Sequence, residues 1–411
     1  MRVPSWLPVA ALEALRASDY RRLWLVGLCL NVARWIDMLA LGWLALELTG
    51  SPLMVGLAAF CRSMPQLALG PFGGALADRL ARGPLLVVSQ SMALGAGVAL
   101  AVLFGTGHGS YAALIAIEVV LGAAWALDFP VRRTALFALV GPAGVTNAVS
   151  LETVSMQVAK MVGPTLGGLL LGRLGAGACY AGLAALYAIA VCLTWRLRTR
   201  VGGRAAPEAP TATWREGIAA VWASPAVRGV LVITVLMNTL VFPYQQMLPV
   251  FARDVFRVGP ELLGLLVAAD GLGALVSALA VASQRGFGRH AQLFAGGSVG
   301  AAVLLLGFTL SPWYALSVAL MFCMGIAESG FATMQTTMVL LGAPAHMRGR
   351  ALGILLACIG TQPFGAVWIG FLSNRAGAPL ATAAGGALAL ALMLPVAWRM
   401  LTRASRPPAP P

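Results

Sequence analysis

The stretch Gly74-Ala75-Leu76-Ala77-Asp78-Arg79-Leu80-Ala81-Arg82 sets an apolar, glycine-bearing helix end directly before one acid and two arginines. Such a run suits a tight turn at a membrane face. Asp78 would cap the next helix or pair with an arginine as a latch that takes energy to break. A plain positively charged membrane loop carries the same residue types, so both readings stay open here. Each requires membrane-embedded helices on either side of the turn.

The surrounding composition supplies them. The 411 residues are 59% hydrophobic and 10% charged, with a mean hydropathy of +0.85, whereas soluble domains carry roughly 25% charged residues. Twelve membrane helices of about 21 residues occupy roughly 250 positions, leaving room for loops and tails. Soluble multidomain, disordered, nucleic-acid-binding and disulfide-scaffold classes are excluded. Hydropathy predicts spans at 22–48, 53–76, 84–104, 111–131, 150–172 and 178–197, then at 227–248, 261–283, 291–310, 314–339, 350–373 and 380–401. The expected fold is all-α and integral to the membrane, with twelve transmembrane helices in two six-helix bundles. Its parts are a cytoplasmic segment 1–21, a first bundle 22–197, a cytoplasmic linker 198–226, a second bundle 227–401 and a cytoplasmic tail 402–411.

The net charge of +14 is better explained by topology than by an anionic ligand surface. Of 28 basic residues, 21 fall in the N-terminal tail and alternate loops, including Arg79, Arg82, Arg132, Arg133, Arg228 and the C-terminal arginines. Only Arg173, Arg253, Arg257 and Arg375 fall on the other side. This bias is the positive-inside rule, and it places both termini in the cytoplasm. The six cysteines lie in apolar segments without ligand spacing and the three histidines fall in loops, so no metal site is expected. Met1–Arg22 has no long apolar core and does not read as a cleaved signal peptide.

Six predicted spans precede the longest cytoplasmic connection, Arg196–Arg228, and six follow it. Sliding the halves by 203 residues brings Gly122 onto Gly325, Thr134 onto Thr337, Ala148 onto Ala351 and Gly167 onto Gly370. The identity is thin but the loops agree throughout. A parallel repeat of this kind places a substrate site between its halves near the bilayer midplane.

The turn between the second and third predicted spans resembles the signature of the major facilitator superfamily, matched by Gly74, Leu76, Ala77, Asp78, Arg79 and Arg82. That resemblance implies a cytoplasmic gate, with Asp128 at the inner end of the fourth span as partner for its charges. Ala81 and Gly83 depart from the signature and imply a weaker latch. In the fifth span Gly163, Pro164, Gly167 and Gly168 resemble the glycine-proline signature of exporters and antiporters, where it is a seal against leakage. On physical grounds alone, Pro164 kinks the span and glycines four apart permit close helix contact. The runs Asp128-Phe129-Pro130, Arg21-Arg22-Leu23-Trp24 and Arg348-Gly349-Arg350 are similar to an exporter branch that includes enterobactin exporters and macrolide-efflux-like proteins. Glu118 stands where the superfamily's fourth-span signature has arginine, so that arginine's proton-coupling role does not carry over.

Seven charged residues fall deep inside predicted spans, away from the span ends: Arg34, Asp37, Arg62, Glu118, Lys160, Asp270 and Glu328. Each costs about 2.5–3.5 kcal/mol at a helix centre, so they are expected to face inward and to pair. Arg34 and Asp37, three apart, can bridge each other. Arg62 and Lys160 have Glu118, Asp270 and Glu328 as candidate partners. Four acids against three bases leave one surplus carboxyl, a natural proton carrier because desolvation favours its neutral form. Embedded ion pairs that only lock helices together would share the pattern. The expectation is an exporter of a small amphipathic molecule, driven by proton antiport through alternating access, in the inner membrane. It would be monomeric, with the small-molecule substrate and the lipid bilayer as partners and no cofactor beyond the proton gradient. A lipid flippase or a solute importer on the same scaffold is the alternative. A membrane enzyme lacks a nucleophile–base pair.

Overall fold

The computed structural model describes residues 14–79, 81–199, 224–283, 290–343 and 347–404, with side chains described for all of these but 14, 69–80, 142–143, 145–146, 282–283, 348–349 and 403–404. The described chain is all-helical. In order come α1 (Ser18–Thr49), α2 (Pro52–Arg79) and α3 (Arg82–Gly105), then α4 (Tyr111–Gly141), α5 (Asn147–Leu197) and α6 (Pro225–Val255). They are followed by α7 (Pro260–Ser283), α8 (His290–Leu310), α9 (Tyr314–Gly342), α10 (Arg348–Ile359), α11 (Gln362–Ala376) and α12 (Ala378–Ala404). Lipid offers no partner for backbone amides, so a spanning chain satisfies them within helices. The ends carry the expected local chemistry. Ser110 and Ser224 accept hydrogen bonds from the Ala113 and Val227 amides, and Gly50 closes α1 in the left-handed region at φ 64°.

Among the described residues, ten helices are long and apolar enough to cross a membrane. One of them, α5, has 51 residues, a length of roughly 75 Å that exceeds a hydrocarbon core of about 30 Å more than twofold. It is interrupted at Gly175, whose φ of 83° breaks the helical path. Large apolar side chains such as Leu174, Leu310, Leu356 and Trp398 stand 67–81% exposed, as lipid-facing side chains do. The embedded charges take the opposite course: Asp37 and Glu118 are 0% exposed and Asp270 1%.

The chain sorts into two compact units. The first comprises Met1–Gly50, Ala58–Glu208 and Gly259–Ala268, and the second Ser51–Leu57, Ala209–Val258 and Ala269–Pro411. Glycines set the tightest crossings inside each. In the first, a side chain on Gly122 of α4 would overlap the backbone carbonyl of Arg62 on α2; in the second, one on Gly325 of α9 would overlap that of Asp270 on α7. The 203-residue repeat pairs these two glycines, and each lets its helix meet a neighbour at the point where that neighbour carries a buried charge. Gly168 packs likewise against Pro260 and Gly264 in the first unit, and Gly56 against Ala366 and Gly370 in the second.

Gly122→Ala forces the α2–α4 crossing apart and is expected to lower stability by about 1–3 kcal/mol, the range for overpacking. At Gly95 a Cβ would meet nothing within 4 Å, so alanine fits there and is expected to gain up to about 1 kcal/mol. Thermal unfolding of the two variants in detergent checks the contrast.

Candidate functional site

The first unit holds an ionic cluster drawn from three helices. Arg62 of α2 donates through Nε to Asp37 Oδ2 at 2.8 Å and to Glu118 Oε2 at 3.1 Å, and its second nitrogen lies 2.6 Å from Asp37 Oδ2. Glu118, Gly122, Trp125 and Phe129 share one face of α4 at helical spacing, so the glycine that admits α2 sits one turn from the acid that meets Arg62. Asp37 Oδ1 and Glu118 Oε1 are both buried without a hydrogen-bond partner among the described residues. A guanidinium thus serves two carboxylates while one oxygen of each lacks a donor. Orphaned buried acceptors are destabilising, and one added proton would supply a missing donor. Arg34 and the buried Tyr187 lie within electrostatic range of this cluster.

Arg34 does not bridge Asp37 in the way its spacing predicts. Asp37 is taken by Arg62, and the Arg34 guanidinium sits 4.2 Å from the centre of the Trp125 ring, which is itself stacked on Phe129 at 5.4 Å. The ammonium of Lys160 lies 5.7 Å from the Trp35 ring centre. Cations over tryptophan faces are stabilised by the ring quadrupole. The fifth-span glycines press on the same part of α1: Gly163 against Val32 and Trp35, and Gly167 against Ile36. They brace α1 within one turn of Asp37.

A second cluster lies about three to four turns beyond Glu118 along α4. Arg132 donates to Asp128 Oδ2 at 2.9 Å and to Glu152 Oε1 of α5 at 3.2 Å, while Gln90 Nε2 of α3 donates to Asp128 Oδ1 at 2.9 Å. Arg132 is the largest fully buried side chain among the described residues. Expected among the topology-setting loop arginines, it is instead the centre of an interior ion pair, and Gly27 of α1 packs against its guanidinium. The i, i+4 spacing of Asp128 and Arg132 is a readable signal; nothing local marks Glu152 or Gln90. Of the gating residues, the side chains of Gly74, Asp78 and Arg79 lie outside those described, and Arg82 opens α3. Asp128 is held by Arg132 and Gln90.

In the second unit, the Tyr244 hydroxyl donates to Glu328 Oε1 at 3.1 Å and Gln335 donates to Thr234 at 2.8 Å. Asp270 sits on α7 at the Gly325 crossing. Phe331, three residues beyond Glu328, contacts Phe242 and Phe294 with ring centres 5.6 and 5.4 Å apart.

Apolar helices that turn their charges inward onto one another are the build of a polytopic membrane protein, and the proteins of the family this chain matches are transporters, not enzymes. Residues 9–406 match the family model described as transmembrane secretion effector, and the chain belongs to that family, within the major facilitator superfamily. It is a multi-pass inner-membrane protein. It is similar to the multidrug efflux pump Tap of Mycolicibacterium fortuitum, 29% identical over 366 residues that cover 83% of this chain and 86% of that protein. It is also similar to the enterobactin exporter EntS of Escherichia coli O1:K1, 25% identical over 334 residues covering 79% and 80%. Among solved structures, a bacterial homologue of the human lysosomal transporter Spinster aligns with a TM-score of 0.71 at 14% identity, covering 97% of this chain and 100% of that one. At that identity the likeness shows the fold.

Arg132→Met leaves Asp128 and Glu152 buried without their cation and is expected to destabilise by about 3–5 kcal/mol. Arg133→Met, at an exposed neighbour, is expected to stay within about 0.5 kcal/mol. Adding Glu152→Gln to Arg132→Met restores part of the loss. Thermal unfolding of the purified variants measures all three.

Proposed function

We propose that the protein exports a small amphipathic molecule in exchange for protons, by alternating access of two six-helix bundles. The observation that carries this reading is the Arg62 cluster, in which two sealed carboxylates from α1 and α4 share one guanidinium and keep one unmatched oxygen each. Protonation of either carboxyl removes a charge and supplies the missing donor. Loss of the proton returns the ion pairs and resets the carrier. The efflux function of Tap and the exporter function of EntS, named in those relatives, support the outward direction. The rings of Trp125 and Trp35 beneath Arg34 and Lys160 offer combined flat and cationic surfaces that suit an amphipathic substrate. The topology in this reading has twelve crossings, with α2 and the second limb of α5 added to the ten. Both termini are cytoplasmic, with bundles at 22–197 and 227–401 joined by the linker 198–226. The chain works as a monomer on the proton gradient alone.

A panel of fluorescent dyes and siderophore-type chelators, assayed in inverted vesicles with an imposed proton gradient, tests the reading. Wild-type uptake into the vesicles should rise with the gradient. Asp37→Asn and Glu118→Gln should each abolish that dependence while substrate exchange without a gradient persists. Gradient-driven flux that survives these two, Asp270→Asn and Glu328→Gln, singly and combined, overturns proton coupling through embedded acids. Trp125→Ala is expected to raise the KM for substrate about 5–30-fold, the loss of about 1–2 kcal/mol of ring and cation–π contact, with gradient dependence intact.

A further inference from the structure

Four helix ends of the second unit enclose a cleft of ≈ 400 Å³. The first turns of α6, the start of α8 and the last turns of α9 and α12 line it. Arg228 and Arg399 line it from α6 and α12, and Val232, Met338 and Val396 form its apolar wall. The two arginines have no carboxylate within ion-pair distance among the described residues. The N-terminal end of α6, at Pro225 and Ala226, also faces the cleft and adds the positive end of a helix dipole.

The order of these groups with depth is specific. Val232 lies one turn, about 6 Å, inside Arg228, and Val396 lies about 4.5 Å inside Arg399. On both helices the arginine therefore lies nearer the helix end than the valine, with Pro225, Ala226 and Met400 beside the arginines. Trp398, 70% exposed next to Arg399, marks the membrane interface as tryptophan does. The positive-inside bias puts these helix ends in the cytoplasmic leaflet, where anionic lipids meet basic pockets between helices.

We propose that this cleft binds an anionic phospholipid, its phosphate held by Arg228 and Arg399 and the start of its acyl chain lying along Val232, Met338 and Val396. The site is separate from the ionic clusters of the first unit, so its occupancy would set stability and local helix order rather than carry the proton. A free phosphate shares the headgroup chemistry but leaves the apolar wall unused, which is why the lipid is the occupant named.

The test uses the full-length protein in neutral detergent, with phosphatidylglycerol, cardiolipin, phosphatidylcholine or inorganic phosphate added, read by thermal unfolding and by native mass spectrometry of bound lipid. The anionic lipids should raise Tm and stay bound, while phosphatidylcholine and phosphate do neither. Arg228→Gln with Arg399→Gln should weaken anionic-lipid binding about 30-fold, the product of two arginine contributions, with Tm unchanged in lipid-free detergent. Arg228→Lys with Arg399→Lys should restore most of it. Equal effects of phosphatidylcholine, stabilisation by phosphate alone, or an anionic preference that survives the glutamine pair would overturn the proposal. So would a Tm loss of the glutamine pair without lipid, which would mean that the two arginines serve the fold rather than a lipid.

Discussion

One guanidinium holds the first unit's interior together. Arg62 reaches Asp37 on α1 and Glu118 on α4 from α2, so three helices are tied through a single side chain that is 8% exposed. In a medium that solvates charge poorly, none of the three groups tolerates ionisation without the others. Other features arrange themselves around this constraint. Gly122 removes the side chain that would keep α2 from α4, and Gly163 and Gly167 hold α5 against α1 beside Asp37. The same geometry leaves one oxygen of each acid unmatched, which makes a structural tie also a place where a proton changes the energy of the fold.

The two ionic clusters of the first unit differ in a way that bears on their work. Around Arg132, Asp128 accepts from both Arg132 and Gln90, so both its oxygens are matched. Glu152 Oε2, Gln90 Oε1 and Arg132 Nη2 are nevertheless left without a partner among the described residues, so this cluster too is incompletely matched. The difference lies in the acids: around Arg132 one of two carboxylates keeps an orphaned oxygen, whereas around Arg62 both do. An incompletely satisfied buried acceptor is poised to accept a donor, and the Arg62 cluster holds two such acids on one guanidinium.

Much of the architecture is legible in the sequence because membranes impose simple rules. Scarce charge, apolar runs of helical length and arginine confined to alternate loops point to an all-helical membrane chain. The thin 203-residue repeat finds Gly122 and Gly325, the two glycines at equivalent crossings. Pairing is less legible. Spacing along α1 places Arg34 beside Asp37, yet Arg62 from another helix takes the carboxylate and Trp125 takes Arg34, because a ring face and a rival guanidinium are tertiary neighbours that no local spacing encodes. Arg132 escapes a sequence reading for a related reason. Counted by span boundary it is a loop charge, whereas α4 continues past it to Gly141 and carries it into the interior beside Glu152.

The central claim, that the Arg62 cluster takes up and gives back the transported proton, is tested most directly by proton release on substrate binding. The purified protein in weakly buffered detergent is mixed with a compound that the vesicle assay shows to be transported, and the pH change is followed with a dye. The account predicts release in proportion to bound substrate for the wild-type chain, and none for the Asp37→Asn, Glu118→Gln double variant at equal substrate occupancy. Undiminished release from the double variant would contradict it.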